Sequence, residues 1–155
     1  MNFRIRPAAV HHNRYAVSNP TTYIYLSPGS ACPEIVQCRG RFIVVIEAEV
    51  SYAWQKLVSD WMVESGCLYM MAWGRECSTW DDSVDWANID RFEETPIPED
   101  EFVMTTWHDD ESLSEVFCFA KAVAKHPSVD LDQTIILDIS AASRKEELLS
   151  LYEAA

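Results

Sequence analysis

The chain has 155 residues, 48% hydrophobic and 12% aromatic, which is enough for one cored domain and excludes a disordered chain. Its formal net charge of −13 excludes direct nucleic-acid binding and favours a basic partner. No apolar stretch reaches the roughly 18 residues of a membrane helix, and no apolar run follows Arg4 and Arg6, so neither a membrane span nor a signal peptide is expected.

Residues 1–20, punctuated by Pro7, Asn19 and Pro20, read as an irregular basic arm. His11-His12 has no second ligand cluster nearby in sequence and reads as loop. Residues 21–26 alternate and are β-rich, which predicts a first strand broken by Pro28-Gly29. The segment to Gly40 shows no clear element. Residues 41–50 predict a buried strand. Ser51 then caps a helix with Ala53, Trp54, Leu57, Val58, Trp61 and Met62 on one face, closed by Gly66.

Residues 67–73 predict the next strand, with Gly74 allowing a tight exit. A helix beginning near Thr79 has Asp81 and Asp82 in its first turn, where acids suit the helix dipole, and a short stripe of Trp80, Val84 and Ala87. It ends before the acidic linker 93–101, which holds Pro96 and Pro98. Residues 102–107 predict a strand. Ser112 and Glu115 form a capping box for a helix that stops before Pro127. Residues 134–139 predict the last strand. A second capping box, Ser143 with Glu146, opens a terminal helix with Leu148, Leu149 and Tyr152 inward. Strands alternating with helices imply a single α/β domain over residues 1–155. The expected architecture is a three-layer sandwich, with a largely parallel, Rossmann-like sheet of about five strands and helices on both faces.

In four places an apolar run turns polar at its end. The first passes into Glu47 and Glu49, and the second into Trp73, Arg75, Glu76 and Cys77. The third passes into Trp107, His108, Asp109, Asp110 and Glu111, and the last into Asp138 and Ser140. Parallel strands would bring these ends to one rim, where open sheets take their ligands. With four glycines in all and no Gly-rich phosphate loop, a nucleotide is disfavoured and no cofactor is expected.

Three chemistries suit such a rim. Cys77 as nucleophile with His108 as base and Asp109 or Asp138 as orienting acid would make a thiol enzyme, although Glu76, Asp81 and Asp82 would raise the thiol pKa. His108 with Asp109, Asp81 or Asp82, and Glu47 or Glu49, would make an oxygen-rich site for a divalent metal, but the diagnostic spacing of a metal motif is missing. A small-molecule or divalent-metal-dependent enzyme is therefore the alternative reading.

The leading expectation is a non-catalytic binding surface made of Trp73, Arg75, Trp80, Asp81, Asp82, Trp107, Asp110 and Glu111, with Trp86 beside them. Aromatics among acids suit cationic ligands and Arg- or Lys-rich proteins. Small acidic bacterial proteins neutralise basic toxins or nucleases in this way, some within defence-type operons. Residues 81–111 hold twelve acids and one arginine, Arg91. The competing reading of that segment is a solvated face that keeps the protein soluble. The five cysteines form no CxxC pair, which excludes a zinc ribbon or thioredoxin motif and fits a reducing cytoplasm. The basic arm would meet the acidic face of its own chain or of a second copy, the latter making a homodimer.

The words Met71-Ala72-Trp73-Gly74, Trp80-Asp81-Asp82 and Thr105-Thr106-Trp107-His108 carry a resemblance. Over roughly residues 20–140 the chain resembles a family of uncharacterised bacterial proteins, a domain of unknown function. The resemblance implies a bacterial source and transfers no activity.

Overall fold

The computed structural model describes residues 20–35, 37–93 and 95–155. The expected basic arm, apart from Pro20, and the His11-His12 pair lie outside the described residues. The strands are β1 (Thr21–Leu26), β2 (Gly40–Ile46), β3 (Cys67–Gly74), β4 (Met104–His108) and β5 (Gln133–Ile139). The helices are α1 (Tyr52–Glu64), α2 (Cys77–Arg91), α3 (Leu113–Ala122) and α4 (Lys145–Ala154). The strands lie in the order β1-β5-β2-β3-β4 and every pairing is parallel. The α/β expectation holds, and all five strands end on one rim.

The central strands read as continuous apolar runs because each is covered on both faces. Phe42, Val44 and Ile46 of β2 pack with Trp54, Val58 and Met62 of α1 and with Trp80 and Val84 of α2. Ile43 and Val45 point the other way, into Val116 and Phe117 of α3 and Leu148 of α4. Phe42, Val44, Val58, Phe117 and Leu148 are fully buried, each worth about 1.5–3 kcal/mol against exposure. The chain steps outward from β2 to β3 to β4 through α1 and α2 on one face. It then returns across the sheet through α3 on the other face, to β5. Reversing both direction and face preserves handedness, so the two halves obey one crossover rule.

Local chemistry sets the ends of the elements. Ser51 caps α1 by accepting the Trp54 N–H, and Ser112 with Glu115 forms the expected box on α3. Gly74 sits at φ 102°, and a Cβ there would fall 2.2 Å from the Ile46 carbonyl oxygen. That close approach lets the Arg75 N–H donate to the same carbonyl at 2.8 Å and turns the chain sharply from β3 toward α2.

Five expectations are corrected. β2 ends at Ile46, four residues early; the Glu47 N–H donates the last bond of the ladder, to the Ile139 carbonyl. α2 begins at Cys77 rather than Thr79, after Glu76 turns the chain in the left-handed region at φ 49°. β4 is shifted to Met104–His108, because the Asn88 side chain captures the Val103 N–H and the Glu101 carbonyl. Leu57 is 62% exposed; the buried stripe of α1 runs through Trp54, Val58, Trp61 and Met62. The second capping box does not form. Arg144 is the N-cap of α4, with no side-chain cap bond, and the Ser143 hydroxyl lies 2.9 Å from the Tyr23 hydroxyl. Among the described residues no helix is long and apolar enough to cross a membrane.

Candidate functional site: a groove between two helices

The switch point of the sheet lies between β5 and β2, whose chains leave toward opposite faces. Open sheets usually leave a crevice there, but here side chains fill it. Asp138 is fully buried and accepts hydrogen bonds from the Tyr23 hydroxyl at 2.5 Å, the Ser140 hydroxyl at 2.8 Å and the Arg144 N–H at 3.1 Å. Burial, and then the Asp138 contact, raises the Tyr23 phenol above its ordinary pKa. Nη2 of Arg144 lies 2.6 Å from Glu47 Oε2, close as an ion pair but off the hydrogen-bond line. The group ties β1, β2, β5 and α4 together and leaves little for a ligand to hold.

Farther along the rim, Cys77 and His108 are neighbours in sheet order but do not face each other. Cys77 packs in the core under α1 and α2. The His108 ring sits on the α3 side, 4.9 Å from the Phe119 ring. Its Nδ1 lies 3.0 Å from Glu111 Oε2 and its Nε2 lies 3.0 Å from the Thr106 hydroxyl. What meets the Cys77 sulfur is backbone, namely the His108 N–H together with those of Cys77 and Ser78. Burial nevertheless dominates and pushes the thiol pKa up, and Asp109 adds to the rise. The geometry therefore offers no imidazole base to this thiol. Among the described residues no group of three His, Cys, Asp or Glu side chains is placed to hold a metal ion. Glu47 and His108 stand two strands apart, roughly 10 Å, and Glu49 pairs with Arg75 at 4.0 Å.

The acidic stretch does not form one face. Asp81, Asp82, Asp85 and Asp90 ride on α2. Glu99, Asp100 and Glu101 form a short 3-10 turn before β4, at the opposite end of the sheet from the exposed Asp109, Asp110 and Glu111. The expected aromatic residues also separate. Trp80 is 1% exposed and belongs to the core, which corrects its place on the surface. Trp73 is half-buried, and its indole donates to the Glu111 carbonyl at 2.8 Å. Trp107 is 48% exposed; it follows Thr105 at the spacing that repeats a strand face, and Thr105 donates to Asp85 at 3.0 Å.

One surface that combines acids with open aromatics is the groove between α1 and α2, about 630 Å³ in volume. Tyr52 on α1 and Trp86 on α2 both line it and are 78% and 63% exposed. Glu76, Asp82 and Asp90 stand with them. The helices meet below through Gln55 Nε2, which donates to the Thr79 hydroxyl at 2.9 Å, and through the Ser59 and Ser83 hydroxyls at 2.8 Å. Lys56 is held by Asp60 at 2.9 Å. Of the residues expected to bind, Asp82 lines this groove, together with Trp86, which was placed beside them. Tyr52, Glu76 and Asp90 were missed, although Asp82, Trp86 and Asp90 recur every four residues opposite the apolar stripe, a pattern visible in the sequence.

Comparison with known proteins gives the family. Residues 21–155 match the domain of unknown function DUF7684, and the chain belongs to that family. No curated protein and no solved structure matches the chain.

Proposed function

We propose that the protein is a cytoplasmic, non-catalytic binding protein whose α1/α2 groove receives a basic segment of another protein. Exposure is the observation that carries this reading. Large aromatic side chains left open in a concave surface mark contact sites more often than chance exposure does. Tyr52 and Trp86 are such residues, and Glu76, Asp82 and Asp90 give the same surface a negative sign. Neutralisation of a basic toxin or nuclease is a role of this type. The free cysteines among the described residues support a reducing compartment.

The reading is tested by titrating the protein with a hexa-arginine peptide and repeating with two charge reversals, Asp82→Lys in the groove and Asp130→Lys on the far side of the sheet. Asp82→Lys should weaken binding about tenfold or more, whereas Asp130→Lys should change it less than threefold. Equal losses would assign the attraction to net charge alone and refute the groove. Affinity should also fall steeply between low and physiological salt.

A further inference from the structure

On α2 the residues Asp82, Trp86 and Asp90 are spaced four apart and all line the groove. At that spacing successive side chains stand about 6 Å apart along one helix face, which makes a ladder of acid, indole and acid on one wall. Tyr52 and Lys56 repeat the spacing on the other wall. The Lys56 ammonium is already engaged, 2.9 Å from Asp60 and 3.9 Å from Asp90. Asp82 has no ion-pair partner among the described residues. Asp85, three residues on, is held above the ordinary carboxylate pKa by burial first, with Asp81 and Asp82 adding to it. The α2 wall is thus short of positive charge near Trp86, and its aromatic face is open.

We infer that Trp86 is a platform for an arginine side chain of the partner, whose guanidinium lies on the indole and pairs edge-on with Asp82. The inference rests on the groove reading above and sharpens it from basic to arginine-specific. A guanidinium is planar and weakly hydrated, so it stacks on an aromatic face while its in-plane N–H groups remain free for a carboxylate. A lysine ammonium is a compact, strongly hydrated charge and serves the two contacts less well together. The floor adds no competing specificity, because its hydroxyl and amide groups already bond to one another across the helices.

Calorimetric titration with hexa-arginine and hexa-lysine peptides, each at about 50 and 150 mM salt, tests the inference. The wild-type protein should bind the arginine peptide about tenfold more tightly. Trp86→Ala should abolish the preference and Trp86→Phe should keep part of it. Asp82→Asn should weaken the arginine peptide severalfold more than Asp130→Asn does. Trp86 is mostly exposed, so these variants should fold, and circular dichroism checks this. Equal, groove-dependent binding of both peptides would overturn the arginine platform and leave the groove standing. If neither peptide binds, or if Asp130→Asn weakens both peptides as much as Asp82→Asn does, the platform and the groove fall together.

Discussion

Asn88 offers a stringent test of what holds the outer strand in place. It sits on the side of α2 that faces β4 and is 3% exposed. Its Oδ1 accepts the buried Val103 N–H at 3.0 Å, and its Nδ2 donates to the Glu101 carbonyl at 3.1 Å. Asn88→Ala removes both partners. A stranded buried N–H costs about 1–3 kcal/mol, while a carbonyl that water can reach loses only about 0.5–1.5 kcal/mol. The sum is about 1.5–4.5 kcal/mol. For a domain of this size each kcal/mol moves the melting temperature by about 2–4 °C, so a fall of about 3–18 °C is expected by calorimetry. The Val103 amide should also exchange with deuterium much faster than in the wild type. Asn88→Asp keeps the acceptor, loses the donor and buries a charge beside the Glu101 carbonyl. It should therefore be at least as damaging at pH 7 and recover part of its stability in acid. If Asn88→Ala came within about 0.5 kcal/mol of the wild type by denaturant titration, this bond would not be what sets the start of β4.

Asp85 carries a carboxyl whose pKa is raised by burial first and by Asp81 and Asp82, against the Thr105 hydrogen bond that lowers it. With the folded pKa above the unfolded one, stability is full in acid and is lost as pH rises through the carboxylate range. Asp85→Asn should therefore raise the melting temperature at pH 7, with the difference closing below about pH 4; a lower melting temperature at pH 7 would contradict this. Thiol labelling should reach the exposed Cys118 first. Burial raises the thiol pKa of Cys32, Cys38, Cys67 and Cys77, that of Cys38 to about 11, so mass spectrometry should find these four modified last; equal labelling of Cys77 and Cys118 would reopen the nucleophile reading. Ser112→Ala should cost about 1 kcal/mol through the lost cap. Ser143→Ala should cost less, since its hydroxyl caps no helix, and equal losses in urea titrations would contradict the cap assignments.

The parts of the fold that showed in the sequence are those where local chemistry and burial agree. The doubly covered strands announce themselves as Ile43-Val44-Val45-Ile46 and Ile135-Ile136-Leu137 because no water-facing side exists to interrupt them. Ser112 and Glu115 announce α3 because both halves of the box serve the same helix end. Ser143 and Glu146 have the same spacing, yet the Ser143 hydroxyl is drawn to Tyr23, which lies 120 residues away in sequence. That competitor comes from strand order, and strand order leaves no local trace. Trp80 was misplaced for the same reason. A Trp beside two acids looks like a surface word until the helix is turned so that Trp80, Val84 and Ala87 face β2 and β3.

The same accounting explains why the expected rim gives way to a groove. At the switch point the charges are spent within the fold, because Arg144 closes on Glu47. An ion pair formed inside the molecule removes both signs from the surface that a ligand meets. Across the groove Lys56 of α1 reaches Asp90 but not Asp82, and Asp81 and Asp82 add, after burial, to the raised pKa of Asp85. A cation seated against Asp82 would relieve that repulsion as it binds, and whatever binds the folded chain selectively also stabilises it. Affinity and thermal stabilisation should therefore rise together across a series of basic peptides. A peptide that bound tightly without raising the melting temperature would have its site elsewhere, on residues that ordering of the domain does not require.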